Sequence, residues 1–109
     1  MYKFGTIVLI PFPFTDLTSS KVRPALIVSK VHKGEDVIVC FISSGSKYPG
    51  LLITKNLEVF EGSGLKVDSV VRFDKIATLD KKLVLGELGI LSESFLRTHK
   101  SQFVDVFGF

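Results

Sequence analysis

The sequence predicts a mainly β domain, a small and strongly bent antiparallel sheet or barrel with one C-terminal helix. Two observations lead there. Short runs rich in Val, Ile, Leu and Phe recur along the chain, each broken by a cluster of Gly, Pro, Ser or Asp. Only the last segment, from Ser92 onward, carries a helical period. The 109 residues read as a single domain, 1–109. A chain of that length removes about two-thirds of its unfolded surface from water.

The elements follow in order. Gly5 to Phe12 is a continuous apolar run with β-branched residues and reads as a strand. Thr15 to Lys21 is a polar loop, and Arg23 to Lys30 a second strand. Lys33-Gly34-Glu35-Asp36 is a hairpin turn into a third strand, Asp36 to Ser43. Ser44 to Gly50 is a second polar loop, Leu51 to Thr54 a short strand, and the stretch around Gly62 and Gly64 a turn. Ser69 to Lys75 alternates, with Val71 and Phe73 on one face, and Leu83 to Leu88 is a further strand. Ser92 is the N-cap of the closing helix, with Glu93 at the positive end of its dipole. Leu91, Phe95, His99, Phe103 and Phe107 then recur every four residues, a stripe for docking on the sheet. His99 on that stripe is a packed histidine.

Composition narrows the function classes. Hydrophobic residues make up 46% and charged residues 23%, an ordinary globular balance. The longest apolar run, Ile7 to Phe14, is too short to span a bilayer and is broken by Pro11 and Pro13. Lys3 before it faintly mimics a leader, but no small-residue cleavage site follows. One cysteine, Cys40, sits between apolar neighbours and reads as a small core residue. The expectation is a cytoplasmic protein with no cofactor and no metal, since no Cys/His spacing suits zinc. Net charge is +3, with +4 in residues 1–55 and −1 in residues 56–109. The basic half holds the polar loops, an asymmetry that suits a polyanion.

Three stretches carry chemistry. Arg23 is locked to Pro24, which biases it toward an extended backbone at a strand entrance. Its guanidinium fork matches two phosphate oxygens, or else it is a surface arginine paired with Asp16. In Ile42-Ser43-Ser44-Gly45-Ser46, hydroxyls at a strand end suit a phosphate or ribose, or are turn chemistry. In Val71-Arg72-Phe73-Asp74, the guanidinium and carboxylate share a face. They are a base and charge stabiliser around a phosphodiester, or an exposed ion pair. RNA cleavage needs no more than these groups, because the substrate's own 2′-OH attacks the adjacent phosphate.

The order and spacing of these pieces resemble the MazF/PemK (Kid) family of toxin endoribonucleases over nearly the whole chain. The motifs are PFPFTDL (11–17), RPALIVS (23–29), ISSGS (42–46) and DSVVRFDKIATLD (68–80). The resemblance implies an SH3-like barrel of the CcdB/MazF/Kid type, a homodimer that cuts single-stranded RNA without metal. It also implies a small, partly disordered antitoxin partner laid across the RNA groove. By position, Arg23 matches the arginine of the RP motif and Ser43 the hydroxyl residue, commonly Thr, that ends the third strand. Arg72 and Asp74 match the Arg/Asp pair proposed as acid and base in the Kid-like branch. The expected catalytic set is therefore Arg23, Ser43, Arg72 and Asp74. The expected RNA-binding residues are Thr15, Ser20 and Lys21 in one loop and Ser44, Lys47 and Tyr48 in the other.

This chain departs from the pattern at two points. Thr6 follows Gly5 where many members carry an acid, and the loop before Arg23 lacks the histidine of the Kid-like branch. Asp74 is left as the chief base candidate. The same architecture also serves the gyrase poison CcdB, so a non-catalytic toxin or binding module acting on a protein such as DNA gyrase is the alternative.

Overall fold

A computed structural model describes residues 2–12, 21–30, 34–45 and 47–108. Six strands form one antiparallel sheet: β1 (Thr6–Phe12), β2 (Lys21–Ile27), β3 (Asp36–Ser44), β4 (Leu51–Ile53), β5 (Ser69–Asp80) and β6 (Gly86–Ile90). Their spatial order is β4-β5-β3-β2-β1-β6, and the sheet curls into a half-barrel. The mainly β class and bent antiparallel architecture expected from the sequence are those of the protein.

Both faces of the sheet are buried over its centre. One apolar cluster gathers Ile7, Leu26, Cys40, Ile42, Val71 and Phe73 with Leu91 and Leu96. The other gathers Val8, Ile10, Ala25, Ile27, Val39 and Leu79. Residues next to each other in β1 and β2 thus go to opposite cores. That is why TIVLI and ALI are unbroken apolar runs instead of alternating ones. Among the described residues no buried side-chain nitrogen or oxygen lacks a hydrogen-bond partner.

Among the described residues three α-helices decorate the sheet: α1 (Val59–Ser63), α2 (Glu93–Thr98) and α3 (Lys100–Asp105). α1 stands where the sequence predicted a turn. It is a single turn ended by Gly64 in the left-handed region (φ 75°), where a Cβ would collide with the Leu88 carbonyl. Five residues are too few to show a helical period. The C-terminal helix starts as expected, with Ser92 Oγ accepting from Phe95 N at 3.2 Å. It is not continuous. His99 (φ −107°, ψ 14°) separates α2 from α3, so the four-residue stripe runs over two short helices. The His99 ring lies 4.7 Å from Phe95, and its Nδ1 donates to the Phe95 carbonyl oxygen at 2.9 Å. The strand expected at Leu83 to Leu88 begins later, at Gly86, because Lys81–Leu83 wind into a 3-10 turn capped by Asp80.

β5 is longer than expected and bent. Cys40 pairs with Ile76, but the next residue, Phe41, pairs with Arg72. Phe73, Asp74 and Lys75 are bulged out of the ladder, which sharpens the local twist. Phe73 turns inward, edge-on to Phe103 at 5.3 Å. Asp74 is exposed.

Candidate active site

The site opens where a ladder stops. β2 and β3 pair at Ile27↔Val39, Leu26↔Cys40 and Ala25↔Phe41, and no further. The next residue toward the end of the sheet is Pro24, which has no N–H to offer a neighbour. In the continued register Pro24 would face Ile42, and Arg23 would face Ser43. Those four residues instead line a cavity of about 510 Å³, with Phe12, Ser44, Tyr48, Leu65, Lys66 and Ser69 among its other walls.

Arg23 and Ser43 belong to one face of the sheet. Arg23 is two residues from Ala25, Ser43 two from Phe41, and Ala25 and Phe41 are cross-strand partners. Arg23 is exposed and makes no ion pair with a described residue. Lys66, in the turn between α1 and β5, brings a second cation to the rim. The wall set contains no acid among the described residues. A cavity with an arginine, a lysine, hydroxyls and an aromatic ring has the chemistry to hold a phosphate and an adjacent base.

Arg72 has a different environment. It is 9% exposed, and its Nε and Nη2 donate to the two oxygens of Asp74 at 2.9 and 2.7 Å. Its guanidinium carbon lies over the Tyr48 ring, 4.2 Å from the ring centre. The hydrogen bonds from Arg72 hold the Asp74 carboxyl below the usual carboxylate range, although partial burial pulls the other way. The same bonds raise Arg72. Asp74 lines a separate cavity with Pro49, Gly50, Phe73, Gln102 and Val106. The four expected catalytic residues thus divide: Arg23 and Ser43 share one cavity, while Arg72 and Asp74 close on each other behind Tyr48.

Of the expected RNA-binding residues, Ser44 and Tyr48 line the Arg23 cavity. Lys21 opens β2 and is exposed, and Lys47 is exposed in the second loop. Thr15 and Ser20 lie outside the described residues, as does Asp16. Sequence reasoning missed Phe12 and Lys66. Lys66 follows a glycine-rich turn, but nothing in one dimension places that turn beside β2 and β3.

Cys40 is fully buried, and burial followed by the nearby Asp74 charge pushes its thiol up to about 12. It is inert at neutral pH. Among the described residues no group of three His, Cys, Asp or Glu side chains is arranged to hold a metal ion, and no helix is long and apolar enough to cross a membrane. Another cavity, of about 740 Å³, lies between Tyr2, Lys3 and Phe4 and the start of α2. Of the two lysines among its walls, Lys30 is already bound to Glu93 at 3.0 Å.

Residues 3–107 match the family model of the PemK-like, MazF-like toxin of type II toxin–antitoxin systems. The chain belongs to this toxin family. No curated protein matches it in sequence. Among solved structures, an endoribonuclease in complex with its cognate antitoxin from a mycobacterial species is 17% identical. It has a TM-score of 0.73, with 100% of this chain and 97% of that one covered. Mycobacterium tuberculosis toxin MazF-mt6 is 19% identical with a TM-score of 0.73, over 95% and 97% of the two chains. The MazE–MazF structure from Deinococcus radiodurans is 19% identical with a TM-score of 0.71, over 99% and 96%. These likenesses establish that the MazF-like toxin shares their fold.

Proposed function

We propose that this MazF-like toxin is an endoribonuclease that cuts single-stranded RNA without a metal ion. The observation that carries the reading is the convergence of Arg23 and Ser43 on one cavity at the splayed end of β2 and β3. Arg23 holds the scissile phosphate and offsets the charge that grows on it, and the Ser43 hydroxyl orients the ester. The 2′-oxygen attacks phosphorus, the bond to the 5′-oxygen breaks, and the products are a 2′,3′-cyclic phosphate and a 5′-OH. The 2′-OH proton passes to solvent, and solvent returns one to the departing oxygen. Asp74 takes no proton in this scheme, because both of its oxygens accept from Arg72 and its carboxyl is a weakened base.

The family and the antitoxin-bound relative support a small antitoxin as partner, covering the cavity. A homodimer is supported by apolar side chains left exposed on edge strand β4 and near the C-terminal end: Leu52, Val104, Val106 and Phe107 are between 40% and 48% exposed.

The test is incubation of pure protein with RNA in EDTA, followed by sequencing of the new 5′ ends. Cutting by the wild type and its loss in Arg23→Ala are expected. Intact RNA with the wild type, or equal cutting by Arg23→Ala, refutes the reading. Among the described residues the cavity wall carries no acid, which favours one second reading, a toxin that binds without cutting. RNA bound but intact, or gyrase-dependent toxicity, selects it.

A further inference from the structure

We propose that Arg72 and Asp74 are positioning residues that hold the Tyr48 ring as a fixed stacking wall of the cavity. Their target is Tyr48, and through it an RNA base, which rests on the RNA reading above. Three observations converge on this. The Arg72 guanidinium is committed twice: its edge to both oxygens of Asp74, its face to the Tyr48 ring. A planar fork does both at once, which a lysine does not. Second, Tyr48 lines the Arg23 cavity, while Arg72 lies behind it and Asp74 opens into a different cavity. Tyr48 is 47% exposed, so with one ring face on Arg72 much of the ring remains open.

Third, the loop that carries Tyr48 is held at both ends. Gly45 N donates to Asp68 O at 2.8 Å. Gly50 passes so close to β5 that a Cβ would collide with the Val71 carbonyl. A ring set in place before the ligand arrives loses less side-chain freedom on binding. Stacking on one ring face is indifferent to base identity, which fits a platform beside a phosphate site. The bulge at residues 73–75 completes the device. Asp74 stands outside the ladder there, and its carboxylate meets the edge of Arg72.

The test separates position from proton transfer. Binding is measured with a 2′-O-methyl oligonucleotide pool, which cannot be attacked at phosphorus, and turnover with natural RNA. Tyr48→Ala and Asp74→Ala are each expected to weaken binding by about tenfold. Their double variant is expected to match either single one, because the two residues act through one contact. Tyr48→Phe restores most of what Tyr48→Ala loses. In Asp74→Asn, kcat stays within about threefold and the acid limb of its pH profile does not move. A fall in kcat of about a hundredfold or more in Asp74→Asn, with binding intact, makes Asp74 a general base and overturns the proposal. So does a double variant whose loss is the product of the single ones.

A readout without RNA guards against failure of the nuclease reading itself. Asp74→Ala, or Asp74→Asn where the alanine variant does not fold, is expected to shift the Tyr48 ring resonances in NMR. Unmoved Tyr48 signals overturn the clamp. A wild type that neither binds nor cuts RNA overturns the proposed function and the stacking role, while the Tyr48 signals still decide whether the clamp exists.

Discussion

Arg23 and Arg72 belong to the same face of one sheet and have opposite environments. The β2–β3 ladder runs from Ala25 to its partner Phe41, and Phe41 in turn pairs with Arg72, so only two strand positions separate the two arginines' rows. Arg23 sits past the end of that ladder, exposed, with no ion pair among the described residues. Arg72 sits within the β3–β5 ladder, buried, with its edge on Asp74 and its guanidinium over Tyr48. The difference teaches that residue type does not decide whether an arginine binds a ligand. The backbone does: the end of the β2–β3 ladder at Ala25 leaves one guanidinium open, while the other stands within the β3–β5 ladder with a carboxylate two residues on along its own strand.

Breaking the open arginine has the largest expected effect. Arg23→Ala lowers kcat on single-stranded RNA by about 10²–10³, the usual loss when one preorganised donor to a developing charge is removed. Its melting temperature stays near that of the wild type. An equally large loss in a variant that no longer folds transfers Arg23 from chemistry to architecture. Next is its partner across the cavity. Ser43→Ala slows cutting by about three- to tenfold, the worth of one hydrogen bond, and Ser43→Thr keeps the rate. A Thr variant as slow as the Ala variant shows that the hydroxyl is not what matters.

Lys66→Ala sharpens the comparison on the rim. Each phosphate contact to a single strand contributes about 0.7 to the slope of log affinity against log salt. Titration of RNA at several salt concentrations is expected to show a slope shallower by about that amount. An unchanged slope removes Lys66 from the phosphate path.

The smallest effect concerns the closed arginine. The Asp74 carboxyl titrates lower in the folded protein than in the unfolded chain, where it sits near about 3.9. The pair's contribution to stability is therefore complete above about pH 4 and is lost only as pH falls below that, through the folded value. Melting temperatures between pH 7 and pH 3 are expected to fall more steeply at the acid end for the wild type than for Asp74→Asn. Parallel curves show that the pair adds nothing to folding, as exposed pairs often do not. Asp74 is 40% exposed on its side chain, so solvent screening keeps this effect modest.

Much of this was written in one dimension. Runs of β-branched residues between turn-forming clusters announced the strands, since such side chains fit a pleated surface whatever surrounds it. Ser92 announced the start of α2, because a hydroxyl that accepts from the third N–H beyond it is a local interaction. Arg23-Pro24 and Ile42-Ser43-Ser44 marked two stretches that meet at one cavity, although β2 begins earlier than expected, at Lys21. Local rules also put Arg72 and Asp74 on one face, and those two side chains do meet.

What local rules left out needed neighbours far along the chain. A single-turn helix such as α1 has no period of its own, and it packs against β6. The bulge in β5 exists only relative to β3, because a strand has no extra residue until it is paired. Lys66 reaches the Arg23 cavity through a turn whose position the sheet sets. The sequence by itself determined which segments are strands and which side chains have chemistry to offer, because those depend on backbone preference and pKa. Only the tertiary structure decided that Arg23 faces open space while Arg72 lies buried against Tyr48, because that depends on where the β2–β3 ladder ends and on which loop crosses β5.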